Sequence, residues 1–147
     1  MGVLDNLFGN DGYTLDDIVS FIEDELIVKK TQYTTEKNVE NVIFRQLKDE
    51  FDDVHQQYNI GGHLGLKCDI DLFNGGFGIE LKLAKELKSA TNVMRSFGQA
   101  IYYSKLRYNE DLIMLVVGTS GEYSQTIKEM EQFMEDLGIT FIYKKIK

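Results

Sequence analysis

At 147 residues the chain is one domain's worth of polypeptide, long enough to close a hydrophobic core without disulfides or a structural metal. Its single cysteine, Cys68, excludes an internal disulfide, and no Cys/His cluster has zinc-ligand spacing, so the composition fits a reducing, cytoplasmic setting. No apolar run approaches the roughly 20 residues that span a bilayer, the opening stretch MGVLDNLFGNDG lacks the basic start and apolar centre of a signal peptide, and a formal net charge of −8 argues against a surface that coats nucleic acid by bulk attraction.

The charge is segregated along the chain. Asp5, Asp11, Asp16, Asp17, Glu23, Asp24 and Glu25 precede the first basic residue, Lys29. Between Lys82 and Arg107 the balance inverts, with Lys82, Lys85, Lys88, Arg95, Lys105 and Arg107 facing Glu86 alone. A local anion-binding surface is compatible with an acidic protein.

Thr14 and Asp17 form a capping-box pattern, and Leu15, Ile18, Val19, Ile22 and Leu26 then recur at helical spacing. This first helix reads as a segment, residues 1–30, appended to a core of residues 31–147 within a single domain. A second helix is predicted from about Thr35 to Phe51 on Val39, Ile43, Leu47 and Phe51. After a short strand candidate at 54–60, HLGLKCDIDLF alternates: Leu64, Leu66, Cys68, Ile70 and Leu72 point one way, and Lys67, Asp69 and Asp71 the other. Asn74-Gly75-Gly76 signals a tight turn, after which Ile79, Leu81 and Leu83 point inward and Glu80 and Lys82 share the polar face. A third helix is predicted from Ala90 to about Arg107 and a central strand buried on both faces from Leu112 to Val117. A last helix on Ile127, Met130, Phe133, Met134 and Leu137 and a strand from Ile139 to Ile146 complete an α/β fold with a mixed central sheet flanked by helices.

A turn at Asn74–Gly75 would set Asp69 opposite Glu80 and Lys67 opposite Lys82. A turn at Gly75–Gly76 would instead set Asp71 opposite Glu80 and Asp69 opposite Lys82. In either register carboxylates and a lysine share one face, and like charges directly opposite on a sheet are destabilising without a cation among them. A hard divalent ion such as Mg²⁺, which takes one or two carboxylates plus water and phosphate oxygens, suits that arrangement. The plain alternative is a solvated strand face on which Lys67 and Lys82 neutralise the acids. On the second helix, Glu36 and Glu40 fall within the apolar arc. Glu36 sits near the helix start, where the macrodipole favours a carboxylate, whereas Glu40 on a buried stripe requires a lysine or a metal site. Along the third helix, Arg95, Gln99, Tyr103 and Arg107 follow at i, i+4 beside Val93, Phe97, Ala100 and Ile101, a polar stripe able to contact phosphate. The second Glu-Leu-Lys sequence, Glu86 to Lys88, lies beyond the alternating run, without an opposing acidic strand.

The order of these parts resembles the PD-(D/E)XK nuclease superfamily, with an αβββαβ restriction-endonuclease-like core and an extra N-terminal helix. Glu40 would be the upstream helix acid, Asp69 the acid before the hairpin turn and Glu80-Leu81-Lys82 the (D/E)XK element. Gln99 and Tyr103 match the Q-x-x-x-Y pattern of an exonuclease and helicase-associated subset. The similarity covers 35–117. It implies a catalytic set of Asp69, Glu80, Lys82 and Glu40, with Mg²⁺, or Mn²⁺ in its place, held by Asp69, Glu80, the Leu81 backbone carbonyl and Glu40. Lys82 would orient or activate the attacking water, and Gln99, Tyr103, Arg95, Lys85 and Lys88 would contact nucleic acid, DNA in preference to RNA. Two departures are visible: Cys68 replaces the proline of the family name, and Asp71 duplicates the acidic position as a substitute for Asp69. The resemblance leaves room for a homodimer, as in Holliday-junction resolvases, or for an accessory protein. The −8 charge supports a second reading, a non-cleaving nuclease-fold binding or regulatory subunit of a nucleic-acid-processing or defence complex.

Overall fold

A computed structural model describes residues 12–147; the opening stretch through Asp11, with the acidic residues Asp5 and Asp11 named above, lies outside the described residues. Among the described residues, four α-helices and five strands follow in chain order: α1 (Leu15–Asp24), α2 (Glu36–Phe51), β1 (Val54–Asn59), β2 (Lys67–Leu72), β3 (Phe77–Leu83), α3 (Ala90–Tyr103), β4 (Leu112–Gly118), α4 (Gln125–Asp136) and β5 (Thr140–Lys145). Each helix starts where a hydroxyl can satisfy an orphan backbone donor. Thr14, Thr35, Ser89 and Ser124 accept from the N–H of the residue three positions on, and Thr14 completes the capping box with Asp17.

The strands form one mixed sheet in the order β1-β2-β3-β4-β5, antiparallel across the first three and parallel across the last three. Its two faces are covered separately. Ile18, Ile22 and Leu26 from the α1 segment and Val39, Ile43 and Leu47 of α2 pack on Ile79, Leu81, Leu83, Ile113 and Leu115. Ala100 and Tyr103 of α3 and Ile127, Met130 and Met134 of α4 pack on Met114, Val116 and Phe141. The run Leu112 to Val117 is buried on both faces, as its unbroken apolar sequence predicts.

Four expectations are corrected. The first helix is not an appendage: Ile18, Ile22, Leu26 and Val28 are wholly buried in the same cluster as α2 and the sheet, because the sheet face is wider than one helix can cover. The β2–β3 connection spans Phe73–Gly76 rather than two residues, with positive φ at Phe73, Asn74 and Gly75. Phe73 is drawn into an aromatic cluster with Tyr13, Phe51 and Phe77, which opens the turn while keeping the register of the Asn74–Gly75 alternative, Ile70 opposite Ile79 and Leu72 opposite Phe77. Leu64 is 69% exposed and outside β2, and the alternation slips inside the strand: Cys68 packs on the α3 side, whereas Ile70 and Leu72 pack on the α2 side. Finally, α3 ends at Tyr103 and continues as a π-turn, Ser104–Tyr108, so Arg107 leaves the i, i+4 stripe.

Candidate functional site

The slip in β2 builds the site. Ladder pairing between β2 and β3 stops at Ile70–Ile79, and one residue earlier a side chain replaces the backbone: Asp69 Oδ2 accepts the Leu81 N–H at 2.8 Å. In a strand the N–H and C=O of one residue project to the same edge, so the Leu81 carbonyl faces the Asp69 side as well. Opposite Asp69 on the edge strand, Gln57 has a φ of 51°, a left-handed kink within β1.

Glu80, the residue before Leu81 on β3, is 2% exposed, and its Oε2 lies 3.2 Å from Lys82 Nζ. Its Oε1 is enclosed without a hydrogen-bond partner. Burial, reinforced by the Asp69 charge, pushes the Glu80 carboxyl well above the usual carboxylate range despite Lys82. Burial also raises Asp69, with Glu40 adding to the rise and the Leu81 N–H and Lys82 opposing it. Two adjoining acids short of positive charge are held where only one lysine answers them.

Glu40 meets these acids through an amide rather than directly. It is 3% exposed, and its Oε2 accepts from Lys37 Nζ at 3.0 Å and Gln56 Nε2 at 2.6 Å, while Oε1 accepts from Gln57 Nε2 at 2.8 Å. The same Gln57 nitrogen donates to Asp69 Oδ1 at 3.2 Å, so a glutamine bridges the helix acid to the strand acid. The sequence carried no signal for Gln57, because an amide on an edge strand reads as solvent-facing.

Lys82 opens onto a cleft of about 230 Å³ lined also by Glu36, Glu86, Asn92, Arg95, Ser96 and Gln99. The polar stripe of α3 thus contributes Arg95 and Gln99 to the lysine's side of the site, and the Gln99 Oε1 is enclosed without a partner. Tyr103 lies behind them, 2% exposed, and donates to the Lys67 carbonyl at 3.1 Å; burial and the Glu80 and Asp69 charges hold its phenol protonated. Glu36, excused above as a helix-start acid, lines the cleft. Burial raises it to about 7, with Asp69 and Glu86 adding to the rise and Lys82 opposing it. Its place beside Glu40 on the apolar arc, one turn earlier, was the available clue.

Two expected residues are engaged elsewhere, and a third lies outside the cleft. Asp71 is fully buried and accepts from Tyr108 Oη at 2.6 Å and the Gly75 N–H at 2.9 Å, tying the hairpin to the end of α3; it is not beside Glu80. Burial outweighs these donors and raises its carboxyl. Lys85 is committed to the carbonyls of Tyr33, at 3.4 Å, and Thr34, at 2.5 Å, and lies over the Tyr33 ring, so its ammonium is not offered to a ligand as expected. Lys88 is exposed outside the cleft lining, where its charge acts on Glu122.

Among the described residues, no group of three or more His, Cys, Asp or Glu side chains is arranged to hold a metal ion. The all-oxygen pair Asp69 and Glu80, with the Leu81 carbonyl and an unpartnered Glu80 oxygen, nevertheless fits a hard cation that binds through one or two carboxylates. Among the same residues, no helix is long and apolar enough to cross a membrane. The chain matches no family model, no curated protein and no solved structure.

Proposed function

We propose that this chain is a divalent-metal-dependent nuclease with a restriction-endonuclease-like core, hydrolysing phosphodiester bonds in DNA in preference to RNA. The observation that carries this reading is the buried Glu80, with one oxygen unpartnered, beside Asp69 and paired with Lys82, whose side chain lines a cleft shared with Arg95 and Gln99. Asp69, Glu80 and the Leu81 carbonyl would hold Mg²⁺ or Mn²⁺. Such an ion, when bound, acidifies water and draws charge from phosphoryl oxygens.

The protein's own part is positional and electrostatic. Lys82 Nζ, fixed by Glu80, faces the cleft and is placed to orient water and to offset charge on the phosphate. Arg95 supplies a cation and Gln99 an amide to the same cleft, both suited to contacting a nucleic-acid strand beside the lysine. The engagement of Glu40 by Lys37, Gln56 and Gln57 favours the second reading, a binding or regulatory subunit that does not cut, because that acid is already satisfied.

One comparison tests both. Purified protein is given Mn²⁺ or Mg²⁺ and a panel of linear, single-stranded, branched and RNA substrates, beside Lys82→Ala and Lys88→Ala. The nuclease reading expects cleavage by the wild type and Lys88→Ala and none by Lys82→Ala, with metal binding kept in all three. Cleavage that survives Lys82→Ala, or binding without cleavage by the wild type, overturns it; the latter is the outcome expected of a non-cleaving subunit.

A further inference from the structure

The edge strand β1 pairs with β2 on both sides of one gap: Gln56 lies opposite Ile70 and Tyr58 opposite Cys68, while Gln57 and Asp69, between them, are outside the ladder. Gln57 there has a φ of 51°, a left-handed conformation uncommon for any residue with a side chain. The kink changes where the side chains go. Successive side chains on a strand point to opposite faces, yet the Gln56 and Gln57 amides both reach Glu40, at 2.6 and 2.8 Å. Backbone strain of this kind persists where the surroundings enforce it, and it collects at functional sites.

A glutamine amide nitrogen has two hydrogens to donate. That of Gln57 contacts Glu40 Oε1 at 2.8 Å and Asp69 Oδ1 at 3.2 Å, so its donor capacity is taken up by two carboxylates from different elements. A point within hydrogen-bond reach of two carboxylates is where a shared cation would be held, and here a neutral amide fills it. The charge that attracts a cation is still felt across the amide, because Glu40 helps to raise the Asp69 carboxyl. Lys37, itself 60% exposed, answers Glu40 at its other oxygen, at 3.0 Å. Beside Asp69 on β3, Glu80 Oε1 has no partner among the described residues. The three acids therefore present one open position and one that is filled.

We propose that the Gln57 amide takes the place of a second divalent ion: the wild-type chain binds one ion, at Asp69 and Glu80, and the position between Glu40 and Asp69 admits another only when the amide is removed. The inference rests on the metal-dependent reading above and makes Gln57 a positioning residue of that site. Counting ions tests it without nucleic acid or turnover. The full chain, stripped with chelator and titrated with Mn²⁺ while electron paramagnetic resonance reads the free ion, should bind one ion per chain. Gln57→Gly removes the amide and suits the left-handed backbone, whereas Gln57→Glu keeps the side-chain length and exchanges a donor for a charge. Both should bind two ions, and adding Glu40→Gln to either should return the count to one. Two ions on the wild type, or fewer than two on both Gln57 variants, overturns the proposal. So does a count of two that survives Glu40→Gln, which would put the added ion elsewhere. In each of these results a wild type that binds Mn²⁺ leaves the metal-dependent reading in place; a wild type that binds none removes that reading and this inference with it.

Discussion

Glu80 holds an opposite relation to its surroundings from Asp69 and Asp71, although all three are acids on one hairpin. Asp71 has two good donors and no open side, whereas Glu80 keeps a buried oxygen with no partner. Burying Asp69 and Glu80 side by side is therefore a cost carried by the metal-free protein, the kind of local destabilisation that functional sites impose. Asp69→Asn keeps an oxygen to accept the Leu81 N–H while removing a charge. The chelated protein should gain on the order of 0.5–2 kcal/mol, a rise of roughly 1–8 °C in Tm at this size, and stabilisation by Mg²⁺ should shrink. Calorimetry with chelator and then with excess Mg²⁺ checks both; a lower Tm with an unaltered metal response would remove the metal from this position. Glu36 gives a pH signature. Its folded pKa of about 7 exceeds the ordinary 4.5, so within that window the folded state binds more protons and stability falls as pH rises. Glu36→Gln should melt above the wild type by a margin that grows from pH 4.5 to about 7 and then levels. A constant margin would show the carboxyl to be solvated.

At the scale of elements, the hairpin and the end of α3 operate as one unit. The π-turn shifts Tyr108 onto β3 at Gly78, where a Cβ would come within 2.6 Å of the ring, and from there its hydroxyl reaches Asp71 on the neighbouring strand. Arg107, one residue earlier, donates to Tyr58 Oη at 3.0 Å and to the Asn74 carbonyl at 3.3 Å, closing the turn from outside. Tyr108→Phe removes one of the two donors that hold a fully buried carboxylate. The cost expected is about 1–3 kcal/mol, readable as a lower urea midpoint with an unchanged slope, and Mg²⁺ affinity should be unaffected. Loss of metal affinity in that variant would show that the hairpin, and not only Asp69, sets the site.

For the whole molecule, the unexpected result is the weight carried by α1. Ile22 is wholly buried in the cluster that backs β3, the strand carrying Glu80 and Lys82, and its neighbour β4. The chain end is tied in beside it: Lys144 Nζ donates to the Glu23 carbonyl at 2.8 Å, and the Lys147 N–H to the Val28 carbonyl at 2.9 Å. Ile22→Ala should therefore cost about 2–5 kcal/mol, the range of large core truncations, in chemical denaturation. An appended helix would lose far less, so a change under about 0.5 kcal/mol, typical of surface positions, would return α1 to the periphery.

The sequence by itself determined the element order, because helical and alternating periodicities are local. Thr14, Thr35, Ser89 and Ser124 start helices through their nearest backbone donors, and the apolar run from Leu112 can only be a strand covered on both faces. It also brought Asp69, Glu80 and Lys82 to neighbouring strands. The tertiary structure alone decided which acid stands where, for reasons that depend on residues distant in the chain. Tyr108, 37 positions on, takes Asp71 out of the site. Gln57, 17 positions from Glu40, holds that acid apart from Asp69 while linking the two. Tyr33 and Thr34, roughly 50 positions back, claim Lys85. A buried carboxylate takes its character from whichever donors the packed chain brings to it, and periodicity along a strand or helix does not carry that information.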